Sequence, residues 1–284
     1  MKWAEISIQT TQEAIEAVAN ILHEEGAGGV IIEDHVLVAY FPVSSYLMET
    51  IEQIKQLVIN LRDYNINIGK GTLEVSEVDE EEWADNWKKY YKPVKISEKF
   101  LITPVWEQVK KNSDEIVIEL DPGMAFGTGT HPTTVLTIRA LEKTINGGEE
   151  IIDVGCGTGI LSIAAAKLGA GKILALDLDQ VAINSAKLNT KINNVDSIID
   201  IKQNDLLNGI SIEADVIVAN ILPDVIVQLA GDATRTLKTG GIFIASGIID
   251  SKEELVRNVL EQSGLTVQET LSLEDWVAII AKKV

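Results

Sequence analysis

Residues 153 to 159 read Asp-Val-Gly-Cys-Gly-Thr-Gly, and a later apolar run, Ile173-Leu174-Ala175-Leu176, ends on Asp177. Glycines at 155, 157 and 159 let the backbone turn sharply out of a strand and let a ligand approach it closely. A side chain at Gly155 or Gly157 is expected to fill space that the ligand needs. A helix opening near Thr158 would point its free N–H groups at the same place. A carboxylate at Asp177 can accept hydrogen bonds from both hydroxyls of a ribose. Strand, glycine turn, helix and a strand tipped by a carboxylate together make a pocket for an adenosine-containing cofactor. An enzyme is therefore the leading reading.

Two cofactors compete for that pocket. A dinucleotide fingerprint is G-x-G-x-x-G. Here the third glycine comes one position early, and Ile160 stands where that pattern wants glycine. Asp153, two residues before the first glycine, is poorly matched to a pyrophosphate. It suits a ligand that carries an ammonium group and a sulfonium, and S-adenosylmethionine has both. The residues favour S-adenosylmethionine over a nicotinamide dinucleotide, and Asp177 disfavours a turn with no ligand. Asp179 reads either as a second contact or as a helix cap, and capping is preferred.

Two more segments could serve this pocket. Residues 121 to 134 are rich in glycine, proline and threonine and read as a loop entering a helix. Such a loop can close over a ligand as a lid, with Phe126, Gly127 and Thr128 as candidate contacts. Thr130 or His131 is expected to cap the helix, with Pro132 in its first position. His131 reads equally as a cap or as a base. Asn220 ends the apolar run 214–219, and its amide can hydrogen-bond a group being methylated, which makes it the candidate catalytic residue. The alternative is that Asn220 caps the next helix. No metal-ligand spacing appears.

The elements that must position these residues follow from periodicity. Strands are expected at 150–154, 172–177, 198–202, 214–219 and 241–246. Helices are expected near 132–145, 160–168, 180–193, 222–237 and 251–262. This alternation predicts a doubly wound, mostly parallel α/β sheet of seven strands. Segments 265–271 and 276–282 have no helix between them, which predicts an antiparallel hairpin at one edge. Residues 1–78 read as a separate small domain. A strand over 3–8, a helix over 11–25 capped by Thr10 or Thr11, a hairpin of 30–33 with 36–41, a helix over 46–61 and a strand over 72–78 give the βαββαβ order of a ferredoxin-like split sheet. Residues 79–93 read as a linker helix, with Trp83 and Trp87 on one face and packing preferred over substrate stacking. The α/β domain then covers 94–284.

Composition limits the partners. With 24 basic and 43 acidic residues the net charge is −19, which disfavours nucleic acid, because binding there rests on phosphate neutralisation. Such a field steers in a basic partner, or only keeps the protein soluble. Cys156 is the one cysteine, so an intrachain disulfide is impossible. No run is long enough to cross a membrane, and no signal-like block opens the chain, so a cytoplasmic protein is expected.

The chain resembles the bacterial ribosomal protein L11 methyltransferases over nearly its whole length. The glycine turn marks only the broad class of S-adenosylmethionine-dependent methyltransferases. The run from Asp121 to Thr134 and the segment Trp83 to Pro93 are more specific. The resemblance implies methyl transfer from S-adenosylmethionine to lysine ε-amines and the N-terminal α-amine of ribosomal protein L11, by an enzyme expected to be a monomer. It implies cofactor contacts at Thr134, Gly155, Asp177 and Asn220, beside Asp153 and Gly157 read from the turn itself. It implies a substrate-recognising first domain that swings on the linker. Asn220-Ile221-Leu222-Pro223 departs from the Asn-Pro-Pro-Tyr pattern of nucleic-acid and glutamine methyltransferases, which argues against an adenine or amide target.

Overall fold

The computed structural model describes residues 2–33, 35–42, 47–64, 66–79, 92–109, 115–121, 129 and 131–284. The chain divides into two compact units, Met1–Tyr91 and Lys92–Val284.

In the first unit, β1 (Lys2–Gln9), α1 (Ile15–Glu24), β2 (Val30–Glu33), β3 (Val36–Pro42), α2 (Leu47–Asn60) and β4 (Thr72–Asp79) follow the expected order. The sheet order is β2-β3-β1-β4 with antiparallel neighbours, which is the split βαββαβ arrangement. Alternate residues Ile6 and Ile8 of β1 pack under Val18 and Leu22 of α1 and Ile54 and Val58 of α2. The cap of α1 differs from expectation. Ala14 holds the N-cap position with no side-chain bond, and the Thr10 and Thr11 hydroxyls instead donate to the carbonyls of Ile68 and Asn67. Of the expected linker helix, Asp79 closes β4, Lys92 and Pro93 lie outside regular structure, and residues 80–91, with Trp83 and Trp87, lie outside the described residues.

The second unit opens with a small sheet that periodicity did not reveal. Strand β5 (Val94–Lys95) runs antiparallel to β6 (Phe100–Pro104), and β6 runs parallel to β7 (Ile116–Leu120). The main sheet contains β8 (Glu150–Val154), β9 (Lys172–Asp177), β10 (Ile199–Gln203), β11 (Ala214–Asn220), β12 (Leu237–Ile249), β13 (Leu265–Leu273) and β14 (Trp276–Lys283). Its order is β10-β9-β8-β11-β12-β14-β13. Strands β8 to β12 pair in parallel, and β14 inserts antiparallel between β12 and β13. The expected edge hairpin is therefore present, with its second strand on the inside. Gly240 and Gly241 lie within β12, beside a register shift against β11, and the strand begins at Leu237, ahead of the expected 241.

Helices cover both faces. Alternate residues Ile151, Ile173 and Val218 share a core with α3 (Pro132–Thr144), α4 (Ile160–Lys167) and Ala186 of α5 (Gln180–Ile192). Their neighbours Ile152, Leu174 and Ile217 face α6 (Pro223–Thr236) and α7 (Glu253–Gln262). Every central strand is apolar on both sides, as burial between two helical layers requires. The chain runs outward from β8 through β10 and then returns to place β11 against β8. That reversal opens a crevice beyond the carboxyl ends of β8 and β11.

Candidate cofactor and active site

The glycine turn leaves β8 and folds back over β9. The N–H groups of Gly155 and Cys156 both donate to the Leu176 carbonyl, at 2.8 and 3.0 Å. Gly155, Gly157 and Gly159 all have positive φ, at +76, +53 and +80°. A Cβ on Gly155 would stand 2.5 Å from Cγ2 of Ile221. A protein neighbour by itself therefore requires glycine at this position. Gly159 packs on Ala186, and α4 begins at Ile160, where the expected 160–168 helix starts.

Asp177 is tied into the turn. Its Oδ2 accepts the Gly157 N–H at 2.9 Å and its Oδ1 accepts the Asp179 N–H at 3.0 Å. A carboxylate has about four acceptor sites, so capacity for two ribose hydroxyls remains. Asp179 caps α5 by accepting the Val181 N–H at 2.8 Å, as preferred from the sequence.

Asp153 is fully buried. Its Oδ2 accepts from the Ser162 N–H at 3.1 Å and the Ser162 hydroxyl at 2.6 Å. One free N–H of α4 therefore goes to this carboxylate. Burial pushes the Asp153 carboxyl up to about 7; the Ser162 bonds oppose that rise and the nearby Asp177 charge adds to it.

Asn220 ends β11 opposite Ser246 of β12. It does not cap α6, because Leu222 holds the N-cap position and Pro223 begins the helix. The Ser246 hydroxyl donates to the Thr133 carbonyl at 3.1 Å, which ties the start of α3 to this strand end. Thr134, in the first turn of α3, is fully buried. His131 caps α3: its Nδ1 accepts the Thr133 N–H at 3.3 Å, and its ring meets Trp276 edge-on at 5.0 Å. Phe126, Gly127, Thr128 and Thr130 lie outside the described residues.

Among the described residues four buried side-chain polar atoms have no hydrogen-bond partner: Thr134 Oγ1, Asp153 Oδ1, Asn220 Oδ1 and Thr236 Oγ1. Leaving such an atom unsatisfied costs about 1–3 kcal/mol. Thr236 ends α6, just before the amino end of β12 and away from the crevice. The other three are residues that the sequence singles out, on three elements that converge at the carboxyl ends of β8 and β11. A groove of about 960 Å³ lined by Lys95, Lys99, Arg139 and Glu142 contains none of them. Periodicity missed Ile221, Ser246 and Asn189 as supports of the site, since each acts through a contact distant in sequence. No cluster of metal-ligating side chains occurs among the described residues.

Known proteins give the same picture. A family model described as ribosomal protein L11 methyltransferase matches residues 2–284. A ribosomal protein L11 methyltransferase of Anoxybacillus flavithermus is 54% identical, with 100% of each chain covered. One from Bacillus subtilis is 53% identical, also with 100% of each covered. A crystal structure of a ribosomal protein L11 methylase from Lactobacillus delbrueckii subsp. bulgaricus aligns with a TM-score of 0.65 at 31% identity, over 68% of this chain and all of that one. The glycine turn, the acidic strand tip and the seven-stranded sheet thus sit in a chain that belongs to the ribosomal protein L11 methyltransferase family.

Proposed function

We propose that this protein moves methyl groups from S-adenosylmethionine to amines of ribosomal protein L11, both lysine ε-amines and the N-terminal α-amine. Family membership supports the donor and the substrate. The observation that carries the site is the set of unpartnered atoms on Thr134, Asp153 and Asn220. A ligand with an ammonium group and hydroxyls supplies hydrogen-bond donors for such atoms, and a pyrophosphate supplies none.

When bound, S-adenosylmethionine supplies an electrophilic methyl on a sulfonium. Asp153 and Thr134 would hold its amino-acid end, Gly155 and Gly157 its body and Asp177 its ribose. The acceptor amine must arrive neutral. A lysine of pKa about 10.4 costs roughly 4.6 kcal/mol to deprotonate at pH 7. Desolvation in the crevice lowers that cost. Asn220 Oδ1 accepts an N–H of the amine and so aims its lone pair, which is catalysis by orientation. The first domain, 1–78, recognises the substrate, and residues 79–93 link it to the catalytic domain, 94–284. Neither nucleic acid nor membrane is a partner in this reading. The acidic surface fits a basic protein, and no described helix is long and apolar enough to cross a membrane. The protein acts as a cytoplasmic monomer.

Methyl-labelled S-adenosylmethionine, the purified protein, unmodified ribosomal protein L11 and ribosomal RNA, incubated together, test this reading. Label is expected on lysine and α-amines of that protein. Label on ribosomal RNA instead, or on neither, would defeat it.

A further inference from the structure

Asn189 lies in the last turn of α5 and Asn193, four residues on, is its C-cap; both are buried. Four residues of helix advance about 6 Å, close to the rise of two strand residues. Both amides therefore reach the free edge of β7 in register. Asn193 accepts the Glu119 N–H at 3.1 Å and donates to the Glu119 carbonyl at 2.6 Å. Asn189 accepts the Asp121 N–H at 2.8 Å and donates to the Asp121 carbonyl at 3.2 Å. In effect α5 replaces a partner strand.

The two amides differ in their further partners: Asn193 also donates to the Asn189 carbonyl, at 2.9 Å, within the same helix end. Asn189 also donates to the Thr158 carbonyl, at 3.1 Å, inside the glycine turn. One fully buried side chain thus joins that turn to Asp121, where the glycine- and threonine-rich segment departs. The far end of that segment meets the same region. A Cβ on Gly129 would stand 2.5 Å from Cδ1 of Ile102 and 3.1 Å from Cδ1 of Ile160, the first residue of α4.

The geometry points to Asn189 as a positioning residue that sets the cofactor pocket by holding the start of the 121–134 segment against the glycine turn. This rests on the proposed reading of the site. Asn193 is the internal control, because it makes the same bracket without touching the turn.

Asn189→Ala and Asn193→Ala are compared by S-adenosylmethionine Kd, by KM and kcat, and by Tm. Both should lose Tm. Asn189→Ala should raise Kd and KM for S-adenosylmethionine by about tenfold or more with kcat much less changed, while Asn193→Ala stays within about twofold. Asn189→Asp, which keeps the shape but sets an oxygen against the Thr158 carbonyl, is read by the same criterion if the alanine variant does not fold. In the wild-type protein, S-adenosylmethionine should slow hydrogen exchange at Asp121 together with the glycine turn. Equal shifts in both alanine variants, an unchanged Kd in the Asn189 variants, or unaltered exchange at Asp121 would overturn the inference while wild-type binding and turnover leave the parent reading standing. A wild-type protein that binds no S-adenosylmethionine would remove both.

Discussion

Gly247 of β12 lies against the backbone of Ile221, the residue after Asn220: a Cβ there would come 2.3 Å from the Ile221 carbonyl oxygen and 3.0 Å from its nitrogen. Gly247 also has φ of +83°. Ile221 has little room to retreat. Its N–H donates to the Ser246 carbonyl at 3.2 Å, and its side chain covers Gly155. Two glycines on two strand ends thus close on one isoleucine and fix where Asn220 sits. Gly247→Ala should push the Asn220–Ile221 peptide out of line. A stability loss of about 1–3 kcal/mol is expected, from strain at positive φ and from the clash. Turnover should fall by about two orders of magnitude, as small misplacements of reacting groups do. Urea melts and single-turnover methylation check both; full activity would show that Asn220 is held by other contacts.

Gly155 and Ile221 should be energetically coupled. Gly155→Ala meets both the Ile221 methyl and the strain of φ +76°. Ile221→Ala removes only the first. The double variant should therefore recover part of the stability lost by Gly155→Ala, with a coupling of about 0.5–3 kcal/mol. A double-mutant cycle by denaturant unfolding measures it, and simple additivity would contradict the contact.

Asn220→Ala should cut methyl transfer by about a hundredfold or more while S-adenosylmethionine Kd changes by less than about tenfold. Asn220 does not cap α6, so Tm should change little. Calorimetric titration and turnover, measured on the same preparation, separate the two effects. Equal losses in binding and turnover would mean that Asn220 serves the cofactor alone.

Asp153 gives the crevice a pH dependence. Its carboxyl is held near 7 by burial, so folding favours the protonated form. Its stabilising contribution is full below the ordinary carboxylate range and is lost as pH rises through about 7. A bound ammonium group favours the ionised form, so binding should release a proton below that pH. Affinity for S-adenosylmethionine should accordingly rise, by up to about tenfold per unit, between about pH 5.5 and 7 and then level off. Titrations in buffers of different ionisation enthalpy detect the proton, and Asp153→Asn should flatten the profile. A wild-type profile as flat as that of the variant would exclude the ammonium contact.

The net charge of −19 should speed encounter with a basic substrate. Raising salt from about 0.05 to 0.5 M should lower kcat/KM several-fold, mostly through KM. A neutral peptide acceptor should show no such trend.

Much of this protein was legible in local patterns. Alternating buried runs separated by helical periods marked the five parallel strands, and the missing helix before residue 276 marked the edge hairpin. Glycine spacing at 155 to 159 and the carboxylate at 177 marked the turn, because positive φ and strand-end acidity belong to single residues. Caps such as Asp179 and His131 were readable for the same reason, as each bonds an N–H only two residues away. Tertiary structure alone decided the rest. Strand β5 has only two residues, β6 is buried on both faces and β7 is followed directly by a glycine-rich segment, so no alternation stood out. The expected Thr10 or Thr11 cap failed because α1 starts only at Ile15, and those hydroxyls instead tie the chain before the helix to a distant loop. Gly155 faces Ile221, and Asn189 joins segments 31 and 68 residues away. Periodicity reports which face of an element is buried; only packing reports what lies across from it.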